Sequence, residues 1–141
     1  MDWLKEVIDY GVIGLLLLLS VWAVAVVFER MSFYRSVKVE DYPSAQSLEV
    51  ALTRRLVVVG TIAANAPYIG LLGTVLGIML TFYTMGSTGT VEVKEIMIGL
   101  SLSLKSTAIG LVVAIPCVAL NNALRRRVKE LLNAYGEKRG R

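Results

Sequence analysis

A chain of 141 residues that is 55% hydrophobic and carries a net charge of +4 is too apolar for an ordinary soluble domain and too short for several domains. With no histidine, a single cysteine and no acid inside its long apolar runs, it lacks the parts of a histidine or thiolate metal site and of a nucleophilic triad. The expectation is a non-enzyme with neither metal nor cofactor.

Three apolar runs, about 11–28, 64–85 and 96–120, approach or exceed the roughly 20 residues that cross a bilayer. Uncharged stretches such as GVIGLLLLLSVWAVAVVF argue against a soluble bundle. The fold class expected is an all-α membrane protein, one module of three transmembrane helices with cytoplasmic helical extensions in segment 29–63 and tail 121–141.

At the start, Asp2, Glu6 and Asp9 stand against Lys5, unlike the basic leader of a cleavable signal peptide, so the first span is expected to stay attached. Trp3, Leu4, Val7 and Ile8 recur at helical spacing and fit a short interfacial helix. Span one, rich in leucine and valine with only Ser20 as a polar interruption, suits a peripheral, lipid-facing position. Glu29 and Arg30 close it as a local anchor. Basic residues follow at Arg30, Arg35, Lys38, Arg54 and Arg55 and again from Arg125 to Arg141, leaving only Lys5 and Lys94 on the other side. The N-terminus is therefore expected outside and the C-terminus inside, and this topology accounts for the excess base without nucleic acid.

After VKVEDYP, residues 44–56 read as a helix with Ala45, Leu48, Leu52 and Leu56 on one face, running on into span two. Asn65 and Pro67 mark a bend near the cytoplasmic boundary, and a short outer loop, 86–95, joins the second and third spans. Beyond the third span, Leu124, Val128, Leu131, Leu132 and Tyr135 continue an apolar stripe among basic residues, whose charges make either a solvated face or a contact with anionic lipid.

The second and third spans each carry a stripe of small residues. Gly70, Gly73, Gly77 and Thr74 fall within roughly 100° on the second helix. Ser103, Ser106, Thr107, Gly110, Ala114 and Cys117 share one side of the third. Such stripes either let helices approach or line a path. Cys117 reads as a packing residue. Thr74 and Thr107 are equally distant from the loop midpoint between Thr90 and Val91, which predicts a common depth near the bilayer middle. Lys105, the one charge inside a span, lies opposite the small stripe and either meets a partner carboxylate or water, or snorkels. Pro116 removes a backbone bond to Val112 and serves as a packing feature or a hinge.

NAPYIGLLGTVLGIMLTF followed by LKSTAIGLVVAIPCVALNN resembles the MotA/TolQ/ExbB proton-channel family, over both inner spans and the start of the tail. The resemblance implies a bacterial inner-membrane subunit, a homopentamer around a dimer of ExbD-like single-span partners. That complex would use the proton-motive force to drive a TonB-like protein in outer-membrane import. By motif, Thr74 and Thr107 match the family's pore threonines, with Ser103 and Ser106 beside them. Pro67, Gly73, Gly77 and Pro116 match structural positions, and Gly70 and Gly110 join them as packing residues. Two departures stand out: Leu102 replaces a glutamate common five residues before the second threonine, and Lys105 occupies an ordinarily apolar site. The proton-binding acid is therefore expected from the partner. Open alternatives are a TolQ-like energiser, a partner-independent ion channel and a structural membrane adaptor.

Overall fold

The computed structural model describes residues 2–89 and 92–138. Four α-helices, α1 (Asp2–Ser36), α2 (Ala45–Thr53), α3 (Leu56–Thr88) and α4 (Val93–Lys138), follow one another with a 3-10 turn at Val39–Asp41, and no strand occurs among the described residues. Of these, α1, α3 and α4 are long and apolar enough to cross a membrane. At 33 and 46 residues, α3 and α4 run about 50 and 70 Å. Both exceed the roughly 30 Å hydrocarbon core, so each projects beyond it.

The long hairpin of α3 and α4 is the main body, and α1 lies along it. One face of α1, with Leu16, Ala23, Val27, Arg30 and Tyr34, is buried, whereas Leu18, Val21, Trp22 and Phe28 on other faces are exposed. Two apolar clusters join the elements. Leu16 and Ala23 pack with Ala63, Ala66, Val113 and Cys117 in the first. In the second, Val26, Leu48, Leu52 and Leu56 pack against Leu124, Val128, Leu131 and Tyr135. The tail's apolar stripe is thus a continuation of the core, and Arg125, Arg126 and Arg127 lie on its exposed side. Arg139 and Arg141 lie outside the described residues.

Several expectations are corrected. No separate interfacial helix precedes span one, because α1 runs unbroken from Asp2. The predicted continuous helix into span two is interrupted. Ser44 caps α2 through a reciprocal bond with Ser47, and α2 ends at Thr53, where Arg55 turns left-handed at φ 68° before α3 begins. No glycine marks that turn, which is unusual for a position that crowds Cβ. The expected outer loop is also shorter, since α3 continues to Thr88 and Gly89, at φ 73°, closes it with its N–H on the Met85 carbonyl. Both Pro67 and Pro116 lie inside helices that continue past them.

Arg30 ties α1 to α2. Its guanidinium, only 3% exposed, donates to Glu29 and, at 2.8 Å, to the Ala51 carbonyl, and it stacks 4.5 Å from the Phe33 ring. Tyr34 donates to the Leu52 carbonyl beside it. At the far end Lys138 meets Glu40 at 3.2 Å. Hydrogen bonding at its own backbone, then the Lys138 ammonium, hold the Glu40 carboxyl below the usual carboxylate range.

Candidate functional site

Small residues on α3 and α4 meet in a ladder. A Cβ on Gly70 would stand 2.5 Å from the Ser106 carbonyl oxygen and 3.1 Å from Gly110 Cα, and one on Gly110 would stand 2.7 Å from the Ala66 carbonyl. Gly73 faces Ser106, Gly77 faces Ser103, and Gly99 faces Thr81 in the same way. The backbones approach so closely because no side chain separates them, as small residues allow between membrane helices. Of the two uses open to the stripes, close approach is therefore realised within the chain.

Hydroxyls occupy the middle of this ladder. Thr74 Oγ1 lies 2.5 Å from Thr107 Oγ1 and donates to the Ser103 carbonyl at 2.8 Å. The two threonines share one depth, as the hairpin symmetry predicts, although Thr90 and Val91 at its midpoint lie outside the described residues. A threonine hydroxyl has a single hydrogen. With Thr74 spending its own on Ser103, Thr107 supplies the hydrogen between them and keeps lone pairs open. Thr74 is buried, whereas Thr107 is half-buried and reaches the flank of the hairpin.

Ser103 and Ser106 are fully buried between the helices. Ser103 Oγ donates to the Gly99 carbonyl at 2.8 Å, while Ser106 Oγ has no hydrogen-bond partner among the described residues. Thr74, Thr107, Ser103 and Ser106 thus form one polar layer, with Gly70, Gly73, Gly77 and Gly110 giving the closeness that assembles it. Pro67 and Pro116 lie outside this layer, toward the end of the hairpin that packs with α2.

Lys105 is not part of it. It is exposed in a shallow groove with Leu100, Ser101, Leu104 and Ala108, and makes no hydrogen bond or ion pair among the described residues. No carboxylate lines that groove.

Asp9 is the acid nearest the start of the first predicted span, two residues before Gly11. Val12 reaches the Gly73 and Ser106 contact, since a Cβ on Gly73 would be 3.1 Å from Val12 Cγ1. Asp9 precedes Val12 by three residues, about 4.5 Å of helix rise, on the same face. Lys5 lines a cavity of about 180 Å³ with Thr81, Glu95 and Gly99. Asp9 is therefore bracketed between those levels, alongside the Gly77 and Ser103 contact, and its Oδ1 is buried without a partner. Asp9, read from the sequence as one of the acids preceding span one, shares its packed face with Val12 and Leu16.

A match to the MotA/TolQ/ExbB proton channel family covers residues 20–137. The chain belongs to that family. Among its relatives, the biopolymer transport protein ExbB of Aquifex aeolicus is 56% identical over 132 residues, 94% of this chain and 89% of that protein. A putative biopolymer transport protein, ExbB-like 2, of Helicobacter pylori is 48% identical over 94% of this chain and 88% of its own length. The Tol-Pal system protein TolQ of Haemophilus influenzae is 38% identical over 86 residues, 61% of this chain and 38% of that protein. Membership in the MotA/TolQ/ExbB family makes the chain a multi-pass membrane component of a proton-channel class rather than a member of an enzyme family. The similarity to ExbB spans the polar layer and the helical extensions alike.

Proposed function

We propose that this chain is the channel-wall and stator subunit of an inner-membrane complex that uses the proton-motive force to energise TonB-dependent import across the outer membrane. The observation that carries the reading is the Thr74–Thr107 pair. Two hydroxyls are held at one depth by close-packed helices, and Thr107, half-buried, keeps lone pairs free to accept from another chain. A charge crossing the membrane releases about 2.3 kcal/mol per 100 mV, enough to bias an assembly with two arrangements.

In this reading five copies surround a dimer of ExbD-like single-span partners, whose membrane carboxylate approaches the threonine layer, and a TonB-like protein receives the work. The assignment of the proton-binding acid to the partner rests on the family resemblance and on the absence of any acid within residues 11–28, 64–85 and 96–120. Arg54, Arg55 and the Arg125–Arg127 run support a cytoplasmic C-terminus and a periplasmic N-terminus. The shorter TolQ similarity supports a second reading, energising a Tol system. Similarity to ExbB over 94% of the chain favours the first.

Gentle detergent extraction from native membranes tests this assembly. The expected result is an oligomer that brings down a single-span protein with an acid in its membrane segment. Recovery of this chain alone would contradict the proposal and favour a partner-independent channel or an adaptor.

A further inference from the structure

Toward the end of the hairpin that packs with α2, α1 and α4 part to leave a groove of about 260 Å³. The two helices run in the same direction there. Leu16 and Ala23 share one cluster with Val113 and Cys117, whereas the later residues Val26 and Tyr34 share the next with Leu124 and Tyr135. Val27, Met31 and Arg35 of α1 line the groove, and so do Leu120, Leu124 and Arg127 of α4, each set at the three- and four-residue steps that make one helix face.

Parallel helices give the groove a direction. Val27 and Leu120 stand at one end and Arg35 and Arg127 at the other, roughly 10–12 Å along the helices. The apolar runs 11–28 and 96–120 both finish at the apolar end, and each arginine follows its run by about two helical turns. The groove therefore crosses from hydrocarbon to headgroups, apolar where the lipid is apolar and cationic where it is polar. No acid lines it. Arg35 is exposed and has no ion pair among the described residues. Arg127 meets Glu130 at 3.8 Å with both side chains about half exposed, a surface pair that gives way readily to a stronger acceptor. The planar fork of an arginine takes two phosphate oxygens at once.

We propose that this groove binds one anionic phospholipid, its phosphate between Arg35 and Arg127 and the start of an acyl chain along Val27, Met31, Leu120 and Leu124. A second copy of this chain fits poorly. Its helices carry Arg30, Arg35 and Arg125 to Arg127 at the same level and would bring like charge to the rim. A zwitterionic lipid carries a cation of its own to the two arginines. The site goes beyond the proton-driven reading, and it stands or falls without it.

Native mass spectrometry of the full chain tests the site, after extraction in neutral detergent and titration with phosphatidylglycerol, phosphatidylcholine or glycerol phosphate. At about fivefold in affinity for each arginine near an anionic lipid, the Arg35→Gln, Arg127→Gln double variant should retain phosphatidylglycerol roughly 25-fold more weakly. The Arg54→Gln, Arg126→Gln pair removes the same charge from exposed positions outside the groove and should retain it as the parent does. Leu120→Trp fills the apolar end, keeps both arginines and should displace the lipid. Equal retention of phosphatidylcholine, or an equal loss in the Arg54, Arg126 pair, overturns the proposal in favour of diffuse attraction. Displacement of the lipid by glycerol phosphate at comparable concentration, or retention that survives Leu120→Trp, overturns it in favour of a free phosphate site. A parental oligomer that takes up no phosphatidylglycerol and dissociates on Leu120→Trp assigns the groove to a second copy and overturns it as well. Should Leu120→Trp fail to fold, the two glutamine pairs decide alone.

Discussion

Thr74 and Thr107 meet across the α3–α4 contact with their hydroxyl oxygens 2.5 Å apart, and Thr74 donates its one hydroxyl hydrogen to the Ser103 carbonyl at 2.8 Å. This places a short polar network between α3 and α4, where Thr74 and Ser103 are buried. Side-chain hydrogen bonds between membrane helices average about 0.6 kcal/mol, with values up to about 1.7. Thr74→Val therefore loses roughly 1 kcal/mol of stability and folds, while Thr74→Ser stays near the parent. Thermal unfolding in detergent reads the difference; a collapse of Thr74→Val to unfolded protein would mean that the network holds the hairpin together.

The glycine ladder makes a sharper demand. A methyl on Gly70 meets the Ser106 carbonyl and Gly110 Cα, which are backbone atoms that cannot rotate away, whereas one on Gly14 or Gly86 meets nothing within 4 Å. Gly70→Ala is expected to cost about 1–3 kcal/mol through overpacking. Gly86→Ala, near the helix end, should be close to neutral. Equal unfolding temperatures for the two variants would show that α3 and α4 are further apart than described.

Arg30 offers a test of the junction between α1 and α2. Its planar fork serves Glu29 and the Ala51 carbonyl together, a combination lysine cannot reproduce. Arg30→Lys should cost about 1.5–3 kcal/mol, the scale of hydrogen bonds to a charged group. The loss should appear first as faster amide exchange in α2, Ala45–Thr53. Unchanged exchange there would remove Arg30 as the tether between α1 and α2.

Lys105 stands exposed on α4 with no partner among the described residues. A charge at this depth is costly unless another chain or water receives it. Lys105→Ala is expected to lower the yield of the complex in gentle extraction while leaving the chain itself folded. Unchanged yield and transport would assign the ammonium to the membrane interface by snorkelling.

The fold was largely legible because its signals are local. Uncharged runs mark spans, small residues at helical spacing mark the α3–α4 face, and Leu124, Val128 and Tyr135 extend the stripe into the tail. Equal distance from a turn is enough to bring Thr74 and Thr107 together in an antiparallel pair. What remained hidden depends on tertiary register. Nothing near Val12 in the chain tells how far α1 slides along the hairpin, a register seen in its approach to Gly73. The turn at Arg55 was equally silent, since neither glycine nor proline announces it. Arg30 read as a local anchor with Glu29; its reach to Ala51, 21 residues away, follows from how α2 folds back.

The threonine layer as the working part of a proton-driven complex is tested most directly by TonB-dependent siderophore uptake in cells carrying Thr107→Val. Removing that hydroxyl deletes the open acceptor and leaves the glycine ladder in place. The account predicts that the complex is recovered in normal amount while energised uptake falls severely, with Thr107→Ser restoring much of it. Parental uptake by Thr107→Val, from a complex present at the parental level, would contradict the account.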